Sequence, residues 1–100
     1  MQFKDLEWKD IISDGEFVCS TCKLNICGWI KITFTINHEP EQEKYYLYSF
    51  GEGNIRTLSP VKYDSVESAK NAAYRIYSEE MSRLKKAIDY FVTEGSKSNG

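Results

Sequence analysis

The residues best equipped for chemistry cluster early in the chain. Cys19-x-x-Cys22, Cys27 and the lone His38 together have the flavour of a metal site. Zinc takes four thiolate or imidazole ligands in a tetrahedron, and a Cys-x-x-Cys turn commonly supplies two. Ile32 stands where a zinc knuckle would place its last ligand, and a full strand's length separates Cys27 from His38. No metal ligand is therefore expected, and Cys19 and Cys27 read as small core hydrophobes. A thioredoxin-like pair would open a helix in an α/β pattern, and none is visible. His38 acting as a base for a cysteine nucleophile would need a partner within hydrogen-bond reach. In a polar loop beside Glu39 and Glu41 it reads as a solvated side chain, and so do Glu39, Glu41 and Glu43 themselves. Gly51-x-Gly53 lacks the Lys-Ser/Thr signature of a phosphate loop and reads as a turn. The expectation is no catalytic residue, no cofactor and no enzyme.

The elements that position side chains are legible from periodicity. Ile30, Ile32, Phe34 and Ile36 share one parity, and Trp29, Lys31, Thr33 and Thr35 the other, which predicts a half-buried strand with its isoleucines inward. A polar loop with Pro40 leads to a second strand over residues 44–50. Residues 55–58 are candidates for a short edge strand. Upstream, Asp14-Gly15 marks a turn between weaker strands around Leu6-Glu7-Trp8 and over residues 16–21, with Phe17 and Cys19 on one parity. From Asp64 the period lengthens to that of a helix. Asp64-Ser65-Val66-Glu67 resembles a capping box, and the stripe Val66, Ala69, Ala73, Ile76, Tyr77, Leu84, Ile88 and Phe91 follows. Gly95 is the expected stop. The fold class is α+β: an antiparallel meander of three to four strands packed on one long C-terminal helix. Residues 1–95 form a single domain, and 96–100 a flexible tail.

Two surfaces are left over in this arrangement. With the isoleucines inward, Trp29, Lys31, Tyr46, Tyr48 and Phe50 face away from the helix, more aromatic surface than a solvated sheet requires. A partner protein or second subunit, the chain's own N-terminal segment with Phe3 and Trp8, or a single nucleic-acid strand beside Lys31, Lys44 and Arg56 are the three candidate covers. The helix is the second surface. About thirty residues at 1.5 Å each reach roughly 45 Å, whereas strands of about seven residues extend some 23 Å. Leu84, Ile88 and Phe91 should overhang the sheet, available for self-association or for docking of the N-terminal segment. Glu80 interrupts the stripe where an apolar residue is expected.

Leu6-Glu7-Trp8, Gly15-Glu16-Phe17, Gly28-Trp29-Ile30-Lys31-Ile32 and residues 63–70 together resemble a loose class of small bacterial, phage and prophage accessory proteins with a sheet followed by one helix. The resemblance covers residues 6–77. It implies an accessory protein, in its most specific version an inhibitor of a host defence system such as CRISPR-Cas, and it assigns no catalytic residue.

Composition narrows the remaining classes. Thirteen basic residues against fifteen acidic give a net charge of −2, so any nucleic-acid contact needs a local basic patch. Three cysteines, an odd number, suit reduced thiols better than a disulfide framework. A charged opening and no long apolar run predict a cytoplasmic protein with no membrane partner. The reading is a non-enzymatic interaction module. Its first expected partner is another protein, with a homo-oligomer next and single-stranded nucleic acid as the alternative.

Overall fold

The computed structural model describes the backbone of residues 5–99 and the side chains of residues 5–89. Five antiparallel strands follow one another in space as in sequence: β1 (Lys9–Ser13), β2 (Glu16–Cys27), β3 (Ile30–Glu39), β4 (Lys44–Glu52) and β5 (Leu58–Tyr63). One helix, α1 (Val66–Asn99), completes the chain. The meander and the single helix agree with the expected class, with five strands rather than three or four. No helix among the described residues is long and apolar enough to cross a membrane.

The differences arise where pairing overrides local pattern. Leu6-Glu7-Trp8 precedes β1 as extended coil, and the strand itself is Lys9–Ser13. Asp14 and Gly15 both adopt positive φ, 52° and 78°, as a two-residue hairpin turn with right-handed strand twist demands. In β1–β2, Ile11 pairs with Cys19 but Ile12 with Phe17, so Val18 is an extra residue. This bulge reverses the parity of β2. Phe17 turns to the helix side, edge-on to Tyr45 at 5.9 Å between ring centroids, while Cys19 stays on the opposite face. The common parity expected for Phe17 and Cys19 is thus broken. The last strand begins at Leu58 rather than Ile55, and its register shift leaves Ser59 and Pro60 opposite Tyr48, an edge position that tolerates a missing N–H. Gly51 permits the preceding loop to fold back. A Cβ there would sit 2.3 Å from the carbonyl oxygen of Ile55, whose side chain is buried.

The core lies between the sheet and α1. Ile32, Phe34 and Ile36 of β3, Leu47 of β4 and Cys22 of β2 meet Ala69, Ala72, Ala73 and Tyr77 of the helix. Burying each of the large side chains is worth about 1.5–3 kcal/mol. The alanines let the helix backbone approach closely. The helix start differs from the expected capping box: Ser65 is the cap, its Oγ accepting from the Ser68 N–H at 3.0 Å, while Asp64 pairs with Lys44. The helix also runs past Gly95 to Asn99, through most of the segment expected as a flexible tail.

Glu80 resolves the interrupted stripe. It is buried, with its two carboxylate oxygens 2.8 Å from Arg56 Nε and 2.9 Å from Arg83 Nε, and Arg83 also reaches the Asn54 carbonyl. The pair of guanidiniums ties the β4–β5 loop to the helix. Burial pushes the Glu80 carboxyl up, but hydrogen bonds and charge from Arg56 and Arg83 outweigh it and hold the group below its usual range. A carboxyl depressed in the folded state adds stability that is complete above its unfolded pKa and is lost as pH falls through the folded one. Urea titrations should therefore show stability falling below about pH 4.5, with that fall reduced in Glu80→Gln. Replacing both Arg56 and Arg83 by Ala should lower stability at neutral pH, because the buried charge is stranded, and Glu80→Met far less. Equal costs for the two variants would contradict this account.

Candidate binding face of the sheet

The alternation that fills the core also dictates the outer face. Cross-strand registers align it in rows running from β1 to β5. One row is Ile11, Cys19, Asn37, Tyr46 and Lys62, with Glu39 opposite Lys44 beyond it; the next is Lys9, Thr21, Thr35 and Tyr48; the third is Lys23, Thr33 and Phe50; the last is Asn25, Lys31 and Glu52. Read along the strands, β4 is a column of rings, β3 a column of hydroxyl and amide groups ending in Lys31, and β1 and β2 add Lys9 and Lys23. Residues two apart on a strand stand about 7 Å from each other. Phe50 is 53% exposed and Tyr48 40% exposed, so the rings are open to solvent on the side away from the helix. Trp29 is 67% exposed in the β2–β3 turn. Its indole lies beside Gly53, where an added Cβ would meet Trp29 Cε3 at 3.2 Å. A hollow of about 550 Å³ opens on the same face, lined in part by Val18, Cys19, Asn37, Tyr46 and Tyr48.

The described part of the N-terminal segment does not cover this face. Trp8 packs on the other side of the sheet, 6.3 Å from Phe34 between ring centroids, with Lys70 of the helix 5.5 Å from its own ring centre. Leu6 joins the same core. Asp10 fastens β1 to the helix side through Ser20 and Lys70, and those hydrogen bonds, with the Lys70 charge, hold its carboxyl below the usual range. Phe3 lies outside the described residues.

Charges are sorted between the faces. Of the cations expected beside the rings, Lys44 is bound to Asp64 and Arg56 to Glu80, so neither is free. Lys31 remains, and the fold adds Lys9, Lys23 and Lys62, none of which contacts a carboxylate among the described residues. Sequence reasoning missed these three because their parity depends on the extent of β2 and the registers of β1 and β5. The run Thr21, Lys23, Asn25, alternating with Cys22 and Leu24, was the one local signal available.

The thiols do not converge. Cys22, not Cys19 or Cys27, is the buried one, and burial raises its thiol pKa against a weaker opposing backbone hydrogen bond at Glu7. Such a thiol stays protonated and unreactive. Cys19 lies on the opposite face and Cys27 is exposed beside the β2–β3 turn. His38 stacks on Tyr45 at 4.7 Å between ring centroids, on the helix side. Alternation thus separates the residues that might have formed a metal or nucleophilic centre.

On the helix, Leu84 packs against the core, which removes it from the expected overhang, and Ile88 is 62% exposed. The side chain of Phe91 lies outside the described residues. No family model matches the chain, and neither a curated protein nor a solved structure is similar to it. The functional argument therefore rests on this geometry. Its sidedness has a direct consequence for stability. Tyr48→Thr and Phe50→Thr should each change unfolding free energy by no more than about 0.5 kcal/mol, whereas Phe34→Ala should cost about 3–5 kcal/mol in the same urea titration. A large loss at Tyr48 or Phe50 would show the face to be structural.

Proposed function

We propose that the protein is a non-enzymatic interaction module that holds another macromolecule against the outer face of its sheet and so blocks or scaffolds it. The observation that carries this reading is the column of half-buried Tyr46 and exposed Tyr48 and Phe50, with exposed Trp29 in the β2–β3 turn, on a face that the chain's described segments leave uncovered. Tyr and Trp bring large rigid contact areas at low entropic cost, which is why they dominate binding hot spots. Lys31 and its neighbours at the rim would fix orientation. Among the described residues the thiols are dispersed and the His38 ring is stacked on Tyr45 on the helix side, away from this face. Inhibition of a host defence system is one form that blocking could take.

The overhanging helix supports a second, separate contact between copies of this chain. Ile88 continues the buried stripe one turn beyond Leu84 with nothing from the described residues packed on it, and an isolated helical end is marginal without tertiary contact. Light scattering over a range of concentrations should show dimer that Ile88→Glu converts to monomer; a monomer at every concentration would remove this contact.

For the outer face, the double variant Trp29→Ala/Tyr48→Ala should keep the wild-type circular dichroism spectrum and lose the macromolecules that the wild-type chain retains from a lysate of its native host. Retention of the same set by the variant would reject the face.

A further inference from the structure

We infer that the occupant of the outer face is a single strand of nucleic acid. This rests on the reading of that face as the contact surface and adds the chemistry of what it contacts. With a net charge of −2 the chain has no bulk attraction for phosphates, so such binding requires a local basic patch. The fold builds one. Lys9, Lys23, Lys31 and Lys62 come from four strands to one face, and none contacts a carboxylate among the described residues. Carboxylates lie at the two ends of the face, Glu52 opposite Lys31 at one and Glu39 opposite Lys44 at the other; between them the rows from Ile11 to Phe50 carry no acidic side chain.

The order of the columns matches the parts of a nucleotide strand. Rings on β4 recur at alternate positions, each offering a π-face on which one base can stack without sequence preference. The neighbouring column of Thr33, Thr35 and Asn37 presents hydroxyl and amide groups to base edges and sugars. The lysines stand on both flanks, Lys9 and Lys23 beyond the polar column and Lys62 beside Tyr46, where a backbone running past the stacked bases would carry its phosphates. The hollow between Tyr46, Tyr48, Asn37 and Cys19, which Glu39 also lines, leaves room for a planar base next to the rings. A paired duplex cannot use this arrangement, because its bases are already stacked on one another.

The test is fluorescence anisotropy with the full chain and labelled oligothymidylate and oligouridylate of about twelve nucleotides, a length within the range such sheet surfaces cover. A duplex of equal length and a polyglutamate peptide serve as competitors. Both single strands should bind, and the ratio of their affinities distinguishes DNA from RNA through the 2′-hydroxyl. The log–log salt slope should be about −2 to −3, the value for three or four phosphate contacts on a single strand. Tyr48→Ala and Phe50→Ala should each weaken binding about tenfold or more, with unchanged circular dichroism. Lys23→Ala/Lys31→Ala should make the slope shallower by about 1.4. Duplex bound as tightly as single strand, or ring variants that bind like wild type, would reduce the face to a non-specific cation surface and overturn the inference. Polyglutamate competing as well as the oligonucleotides would overturn it in favour of an acidic protein segment. No binding at low salt, with lysate proteins still lost from the Trp29→Ala/Tyr48→Ala variant, would overturn the occupant alone; loss of neither would remove the interaction face as well.

Discussion

The close approach of one helix to one side of the sheet organises everything else in this molecule. Ala69, Ala72 and Ala73 let the α1 backbone settle onto Phe34, Ile36 and Leu47 until no space remains between them. A single helix can seal only a single face: its backbone comes closest to β3, β4 and β5, while β2 and β1 reach it through Cys22 and through the Asp10–Lys70 pair. The uncovered flank over β2 is filled by Leu6 and Trp8, which are drawn there because Phe34 offers a ring to pack on and Lys70 a cation over the indole. The rings of β4 are excluded from the helix side by parity alone, since moving them inward would require turning Leu47 and Ser49 out.

The same constraint explains how a chain with more acids than bases acquires a basic face. Asp10, Asp64 and Glu80 are held in contacts with Lys70, Lys44 and the two arginines, at the helix side or along the sheet margin. All three carboxyls are held below their usual range, Asp10 by the Ser20 hydrogen bond and then Lys70, Asp64 by Lys44 and Glu80 by the arginines. Charges committed there no longer offset the lysines on the outer face. The partition follows from topology: helix and loops supply counter-ions to the inner margin, and no described element passes over the outer one.

What the sequence made legible was whatever depends on a single strand or helix. The alternation from Trp29 to Ile36 and from Lys44 to Phe50 assigned inward and outward residues correctly, because half-burial leaves its period in each strand separately. The helix was equally plain from the stripe beginning at Val66. The illegible parts depend on relations between segments. Val18 as a bulge is a property of the β1–β2 pairing, and without it Phe17 and Cys19 seem to share a face. Asp64 looked like a cap because its competing partner, Lys44, lies twenty residues away on another strand. Glu80 looked like a flaw in the stripe because its two arginines, one from a loop, cannot be paired with it from periodicity. The lysines of the outer face were hidden for the same reason: each is unremarkable in its own strand and becomes a cluster only through register.

Register also bears on what can lie on the outer face. Two copies stacked through it would set lysines against lysines and carry no carboxylate from the first three rows to relieve them, a like-charge arrangement that opposes association. Edge-to-edge growth is resisted as well, since β5 carries Pro60 at its bulge and β1 is only five residues long, with Lys9 at its start. An apolar partner could cover the rings but would have to desolvate the flanking cations without replacing their water. An occupant that brings negative charge at the margins and flat apolar surface at the centre complements both columns at once. The rings and the lysines, read separately, admit many partners; their fixed separation across the strands is what narrows the choice.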